Sequence, residues 1–268
     1  NILDNEYKIL FNPLDNIFEN KDKNVFLEKF FLEFYPSIEI FTDEEFTIEP
    51  ASTSELLSDD KKFESFRRLL KVGGIDDLHR LESDVAYVTE LTTEAEENLN
   101  QLFSRYYLQD KSIQIKLREN QGKWNIVIQD ATKKAYNLVE RSPGFQYFFA
   151  FIINKHYLNS KGNHNYIYLL DEPGKSLHPR GAKDLLMVFK DVASTSQIIY
   201  TTHNAFLAVR DKLDNLILVS KNSKDGTKIN LKPYRNKYEV LRKELGILLN
   251  DSFILSDVNL LVEGATEK

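Results

Sequence analysis

Short apolar runs alternate with amphipathic stretches over the second half of the chain. Runs rich in Ile, Leu, Val and Tyr predict strands at 166–170, 197–201 and 215–220, with helical segments after Pro179 and after Asn204. Helices are also expected at 131–140 and 145–157, and Asp225-Gly226 predicts a hairpin turn. Near-continuous apolar strands that alternate with helices are typical of a parallel sheet covered on both faces. We therefore expect an α/β fold.

The first 130 residues have a different pattern. Helical periodicity is found at 24–34 and 55–72, and a continuous apolar stripe over 76–108 indicates one long helix or a helix pair. Ile38 and Ile40 alternate with polar neighbours as in a short strand, and two alternating runs at 113–117 and 124–128 predict a hairpin. This part is predicted to be a helical lobe with a hairpin.

Composition narrows the possible chemistry. The 268 residues include no Cys and five His without paired spacing, so a thiolate metal site, a Cys nucleophile and a zinc site are not expected. The formal charge of −6 argues against a surface coated with DNA-binding charge, although a local basic patch remains possible. No apolar run approaches the roughly 20 residues that span a bilayer. We expect a cytoplasmic protein without a membrane partner.

The strongest chemical signal follows the apolar run 166–170. Asp171 and Glu172 stand at the carboxyl end of this strand, where open α/β sheets bind their ligands. One carboxylate can hold Mg²⁺ while the other polarises a water. A helix N-cap would also explain an Asp-Glu pair on its own. The loop Ser176-Leu-His-Pro179 and a second strand end with His203 make the combination more specific.

Together these motifs resemble the second half of an ABC-type ATPase domain. The resemblance implies that Asp171 is the Walker B ligand of Mg²⁺, Glu172 the general base and His203 the switch histidine that contacts the γ-phosphate of ATP. It also implies a D-loop that contains Ser176 and His178.

Upstream, Arg141-Ser-Pro-Gly144 stands at the place of the family's signature motif. Ser142 and Gly144 match that motif and would bind ATP held by the other subunit of a homodimer, since helix N-termini attract anions. Pro143 departs from the Ser-Gly-Gly form of transporters and disfavours a transporter domain. An ordinary helix break at Pro-Gly is the structural alternative.

A phosphate-binding loop of the form Gly, four residues, Gly-Lys-Ser/Thr is not found in the sequence. Gly174-Lys175-Ser176 has the right ending, but Leu169 stands where the first Gly should be, and no Gly precedes Gly73. This loop cradles the β- and γ-phosphates. We therefore expect that the chain alone neither binds ATP tightly nor hydrolyses it.

The carboxyl end reads as a strand at 259–262 followed by Glu263-Gly264, with Glu267 one turn further on. Two acids at this spacing can share a divalent metal, although a strand that ends in Glu-Gly can be only a turn. The passage resembles the opening of a Toprim nuclease domain. The full set of motifs resembles the OLD family (overcoming lysogenization defect) of ATPase-nucleases, in which Glu263 and Glu267 would bind Mg²⁺ or Mn²⁺.

Helical periodicity alone places a helical lobe and hairpin of the ATPase domain at 1–130. The OLD resemblance, whose motifs run from about residue 140 to the end, implies an ATPase core at 131–252 and the start of a Toprim domain at 253–268. It also implies an ATP-regulated DNA endonuclease, a possible role in defence against phage or plasmid DNA, and a possible accessory defence protein. The alternative is a RecF-like or SMC-like ATPase that clamps DNA without cutting it.

Overall fold

The computed structural model describes residues 36–41, 47–162, 166–204, 206–208, 215–222 and 226–230. Its helices are α1 (Thr53–Leu57), α2 (Glu64–Val72), α3 (Val85–Tyr106), α4 (Pro143–Ser160) and α5 (Pro179–Val192). Its strands are β1 (Ser37–Phe41), β2 (Gln114–Asn120), β3 (Lys123–Gln129), β4 (Ala135–Asn137), β5 (Tyr166–Leu170), β6 (Gln197–Tyr200), β7 (Leu218–Asn222) and β8 (Gly226–Asn230).

A parallel sheet with the order β1-β5-β6 forms the centre of the described fold. Helices α4 and α5 pack on one face of this sheet through aromatic side chains. Phe151 of α4 lies 5.8 Å from the Phe41 ring and 5.5 Å from the Phe189 ring, and Phe189 lies 4.9 Å from Tyr200 of β6. Burial of these rings fixes the helices against the sheet. The predicted α/β fold with a parallel sheet flanked by helices is confirmed.

Helix α4 joins the sheet to the helical lobe. Most of its residues from Phe145 to Lys155 are buried, because it packs against α5 on one side and against α2 and α3 on others. Phe103 of α3 contacts the rings of Phe145, Phe148 and Phe149 at 5.4–6.0 Å. A helix that is apolar on all sides belongs in a core.

The chain from Ala131 to Glu140 is not the predicted helix. Asp130 accepts hydrogen bonds from the backbone and hydroxyl of Thr132, and the Lys133 N–H closes a turn onto the Asp130 carbonyl at 2.9 Å. The chain reverses here, so that Ala135–Asn137 pairs antiparallel with β3 as strand β4. A short helical turn, Leu138–Glu140, follows. Side chains that bond to nearby backbone compete with helix formation.

Three further predictions in the first 130 residues can be compared with the structure, whereas most of the helical segment predicted after Asn204 lies outside the described residues. The helix predicted at 55–72 is broken after Leu57, because Ser58 is extended and Asp60 begins a new turn. The stripe at 76–108 forms a short turn, Leu78–Glu82, and then α3, which begins at the N-cap Asp84. The predicted hairpin β2–β3 is confirmed.

The apolar run at 215–220 does not join the parallel sheet in the described part of the chain. Its strand, β7, pairs antiparallel with β8. The Asp225 half of the predicted turn lies outside the described residues. The predicted elements at 24–34, 238–249 and 259–262 lie outside the described residues. None of the described helices has the length and apolarity that crossing a membrane requires.

Candidate functional site

The ends of two neighbouring parallel strands bring the acidic pair and the histidine together. Strand β5 ends at Leu170 and is followed by Asp171 and Glu172, and β6 ends at Tyr200 and is followed by Thr201. The ladder between them continues by one hydrogen bond, from the Thr201 N–H to the Leu170 carbonyl at 3.0 Å. The two loops therefore leave the sheet from fixed and adjacent positions.

Thr201 contacts both members of the acidic pair. Its hydroxyl lies 2.5 Å from Asp171 Oδ1 and 3.0 Å from the backbone nitrogen of Glu172. Glu172 adopts a φ of 48°, in the left-handed region that costs a residue with a side chain about 1–2 kcal/mol. A strained backbone at the end of a buried strand is held by its surroundings.

His203 lies directly against the second carboxylate. Its Nδ1 is 2.7 Å from Glu172 Oε2, and its backbone nitrogen is 3.3 Å from the same oxygen. The His203 side chain is 75% exposed and that of Glu172 is 33% exposed, so the pair faces solvent. The predicted proximity of Asp171, Glu172 and His203 is thus present in the fold, and solvent can reach the pair.

The chemistry of this cluster fits Mg²⁺. The described residues contain no group of three or more acidic or histidine side chains that could hold a metal by themselves. Mg²⁺ commonly takes one or two carboxylates and completes its shell with phosphate oxygens and water. Asp171 has one carboxylate oxygen bonded to Thr201, while Oδ2 has no hydrogen-bond partner in the described part of the chain. A site of this kind needs a nucleotide to complete it.

Ser142 and Gly144 form the amino end of α4. The Ser142 hydroxyl caps this helix by accepting a hydrogen bond from the Phe145 N–H at 3.3 Å, and Pro143 occupies the first turn without a donor. The hydroxyl proton remains available for donation. The Gly144 N–H has no acceptor among the described residues. The predicted helix N-terminus is therefore present, with Ser142 already engaged as its cap.

The loop after β5 explains why residue 144 is a glycine. A Cβ at this position would lie 2.6 Å from the carbonyl oxygen of Ser176 and 2.9 Å from its carbonyl carbon. This loop turns at Gly174, where φ is 62°, and the Leu177 N–H bonds to the Gly174 carbonyl. The predicted signature motif and the predicted D-loop are thus packed on each other within one chain.

The loop from 174 to 178 borders a small cleft. A space of about 190 Å³ lies between the amino end of α4 and this loop, lined by Thr47, Pro143, Gly144, Gln146, Tyr147, Gly174, Lys175 and Ser176. His178 is the N-cap position of α5, which begins at Pro179, and its side chain makes no capping bond. The triplet Gly174-Lys175-Ser176 is thus a turn after the acidic strand, in agreement with its rejection as a phosphate-binding loop.

Two polar features of this region were not singled out from the sequence. Thr201 has no predicted role, although its place directly after β6 could have indicated contact with the acids that follow β5. Asp184 is buried on α5 and accepts the Leu108 N–H at 3.0 Å. Burial raises the pKa of Asp184, while hydrogen bonds from Leu108 and Gln109 oppose the rise.

Glu263 and Glu267, the predicted ligands of a nuclease metal, lie outside the described residues.

Comparison with solved structures gives distant similarities. A structure of an Smc head bound to the C-winged helix domain of ScpA is 16% identical, with a TM-score of 0.46, and the match covers 75% of this chain and 57% of that one. A structure described under ATP-driven dimerization and DNA-stimulated activation of SMC ATPases is 17% identical, with a TM-score of 0.42 and coverage of 56% and 89%. The Smc head domain of Pyrococcus yayanosii is 18% identical, with a TM-score of 0.41 and coverage of 69% and 38%.

Sequence comparison identifies the family. The uncharacterised protein MJECL43 of Methanocaldococcus jannaschii is 29% identical over 160 residues, which are 55% of this chain and 41% of that protein. The chain thus matches less than half the length of this relative. The family model described as AAA ATPase domain (AAA_15) matches residues 4–208, well over half of the chain. The chain therefore belongs to the AAA ATPase domain family.

Proposed function

We propose that this chain supplies the hydrolytic side of an ATP site. Asp171 holds Mg²⁺, Glu172 accepts the proton of the attacking water, and His203 orients Glu172 and contacts the γ-phosphate. The observation that carries the proposal is the convergence of these three side chains at the adjacent ends of β5 and β6, with His203 Nδ1 2.7 Å from Glu172 Oε2. Family membership supports ATP as the nucleotide.

The contacts of Glu172 suit it to act as a general base. One carboxylate oxygen is bonded to His203, and the side chain remains partly exposed, so that a water can approach the other oxygen. General bases of this kind act on a water within hydrogen-bond reach. Mg²⁺, when bound at Asp171, would neutralise charge on the phosphates. Asp171 and Glu172 thus have different roles in this proposal, because Asp171 is bonded to Thr201 and Glu172 to His203.

A complete site in this proposal needs two further parts. The first is a phosphate-binding loop, which the 268 residues do not contain in its usual form. The second is the amino end of α4 from a second copy of the chain, which would present Ser142 and the Gly144 N–H to the γ-phosphate. The ATP would thus lie between two subunits of a cytoplasmic homodimer, and the isolated chain would not hydrolyse it.

We further propose that the intact protein is an OLD-like, ATP-regulated DNA endonuclease, with a role in defence against phage or plasmid DNA and a possible accessory defence protein. Support comes from the sequence resemblance at Glu263 and Glu267, which would bind Mg²⁺ or Mn²⁺ in a Toprim domain. The alternative is a RecF-like or SMC-like ATPase that clamps DNA without cutting it, in which the Glu263-Gly264 step is only a strand end.

Two substitutions in the intact protein separate these roles. Glu172→Gln should retain ATP binding but lower the kcat of ATP hydrolysis, measured as inorganic phosphate released. We expect a loss of about 10² or more, because a general base contributes that much to the rate. Glu94→Gln, at an exposed position on α3, is the matched control. Normal hydrolysis by Glu172→Gln would refute the assignment of the base.

Glu263→Ala should abolish Mg²⁺- or Mn²⁺-dependent nicking of supercoiled plasmid DNA and leave ATP hydrolysis unchanged. A wild-type protein that hydrolyses ATP, binds DNA and does not cut it with either metal would favour the clamp.

A further inference from the structure

The hydroxyl of Thr201 has two different partners at the proposed ATP site. It donates its only proton to Asp171 Oδ1, because a carboxylate can only accept, and it accepts a hydrogen bond from the Glu172 N–H. The roles of donor and acceptor therefore cannot be exchanged. One side chain directly after β6 contacts both an oxygen of the first acid and the backbone of the second.

The anchor of Thr201 is rigid. Leu170 is the last residue of β5, and its carbonyl accepts a hydrogen bond from the Thr201 N–H. The backbone of Thr201 is therefore held by the sheet and does not belong to a free loop. Glu172, in contrast, has a left-handed φ of 48°. A residue with a Cβ keeps that conformation only where neighbouring contacts hold it. The 3.0 Å bond from its N–H to Thr201 is such a contact.

We propose that Thr201 is a positioning residue for ATP hydrolysis, which couples the orientation of the metal-binding Asp171 to that of the general base Glu172. This inference rests on the proposed function of the site. The bond to Oδ1 turns the Asp171 carboxylate so that Oδ2 is left for the metal. The bond from the Glu172 N–H holds the backbone from which the Glu172 side chain reaches His203.

The coupling predicts a specific kinetic defect. Thr201→Val has the same shape without the hydroxyl, so Asp171 and Glu172 lose a shared partner. In the intact protein, kcat should fall by about tenfold to a hundredfold, the usual effect of losing a hydrogen bond to a charged group. The Mg²⁺ concentration for half-maximal activity should rise several-fold. The KM for ATP should change much less, because Thr201 does not bind the nucleotide.

Thr201→Ser keeps the hydroxyl and should restore both kcat and the Mg²⁺ requirement to within about threefold of wild type. Thr195→Val makes the same change at an exposed position before β6, at the opposite end from the site, and is the matched control. Should Thr201→Val not fold, Thr201→Ala compared with Thr201→Ser tests the same hydroxyl.

Wild-type kinetics and Mg²⁺ dependence in Thr201→Val, or equal impairment of the Val and Ser variants, would overturn the inference. Glu172→Gln measured in parallel distinguishes this failure from failure of the proposed function. If Glu172→Gln abolishes turnover and Thr201→Val does not affect it, only the role of Thr201 is refuted. If Glu172→Gln hydrolyses ATP normally, the proposed function itself is refuted.

Discussion

Two residues of the proposed ATP site, Gly144 and Glu172, each have more than one structural role. Gly144 gives α4 a backbone donor at its amino end and also leaves room for the Ser176 carbonyl, which a Cβ would meet at 2.6 Å. Glu172 combines a left-handed backbone with a side chain bonded to His203. Such departures from ordinary local preference concentrate at functional sites.

His156 on α4 is a half-buried histidine whose pKa is strongly lowered. Burial, and secondarily the nearby charge of Lys155, lowers the pKa of His156 from 6.5 to about 4. Its Nε2 is buried without a hydrogen-bond partner within the described structure. The side chain is therefore neutral in the folded chain at neutral pH, packed 5.8 Å from the Tyr106 ring.

This histidine makes the stability of the fold depend on pH. Between pH 6.5 and about 4 the unfolded chain binds a proton at His156 that the folded chain does not, so the free energy of unfolding should fall as the pH falls through this range. Urea denaturation at pH 7 and pH 5 measures the change. His156→Phe should reduce this pH dependence, and Gln101→Ala, at an exposed position without a titratable group, should leave it as in wild type. An unchanged pH dependence in His156→Phe would contradict the prediction.

At the scale of elements, α3 protects the free edge of the antiparallel sheet. Strand β2 is at the edge of the order β2-β3-β4. The Asn100 side-chain amide donates a hydrogen bond to the Ile115 carbonyl at 2.9 Å and accepts one from the Ile115 N–H at 2.7 Å. The Glu96 carboxylate accepts a hydrogen bond from the Leu117 N–H at 2.8 Å. Side chains of the helix thus replace a missing strand, which keeps the edge from pairing with another chain.

Removal of this amide should destabilise the fold. Asn100→Ala leaves the buried N–H and carbonyl of Ile115 without partners, which costs about 2 kcal/mol of the free energy of unfolding. The urea midpoint at neutral pH measures it. Gln101→Ala, at the neighbouring exposed position, should change stability by less than about 0.5 kcal/mol. Equal effects of the two substitutions would argue against the edge contact.

The sequence predicts elements well wherever apolar residues form continuous runs or alternate with polar ones. The strands β5 and β6, the helix α4 and the hairpin β2–β3 follow directly from apolar runs and alternation. The turn at Asp130 and the break after Leu57 did not, because short polar side chains that bond to their own backbone override helical periodicity there. The acids and His203 could be placed at one sheet edge, but the bridging of Thr201 depends on strand register, which the sequence does not state.

At the scale of the whole molecule, a partly exposed polar contact joins helices α3, α4 and α5. Lys155 of α4 pairs with Asp191 of α5, and the Tyr106 hydroxyl of α3 bonds to the same carboxylate at 2.7 Å. Burial would raise the pKa of Asp191, but its bonds with Lys155 and Tyr106 outweigh this and lower it. Helix α4, which begins at Pro143, is thus tied by side-chain contacts to α5, which follows the loop 174–178.

The proposed function requires that two copies close on ATP, with the hydrolytic side of one against the amino end of α4 of the other. A variant that binds ATP without hydrolysing it should hold the closed state. The most direct measurement is the molar mass of the intact Glu172→Gln protein by light scattering, with and without Mg²⁺ and ATP. We expect the mass to double only when both are present. ATP bound at a mass that stays that of one chain would contradict the account.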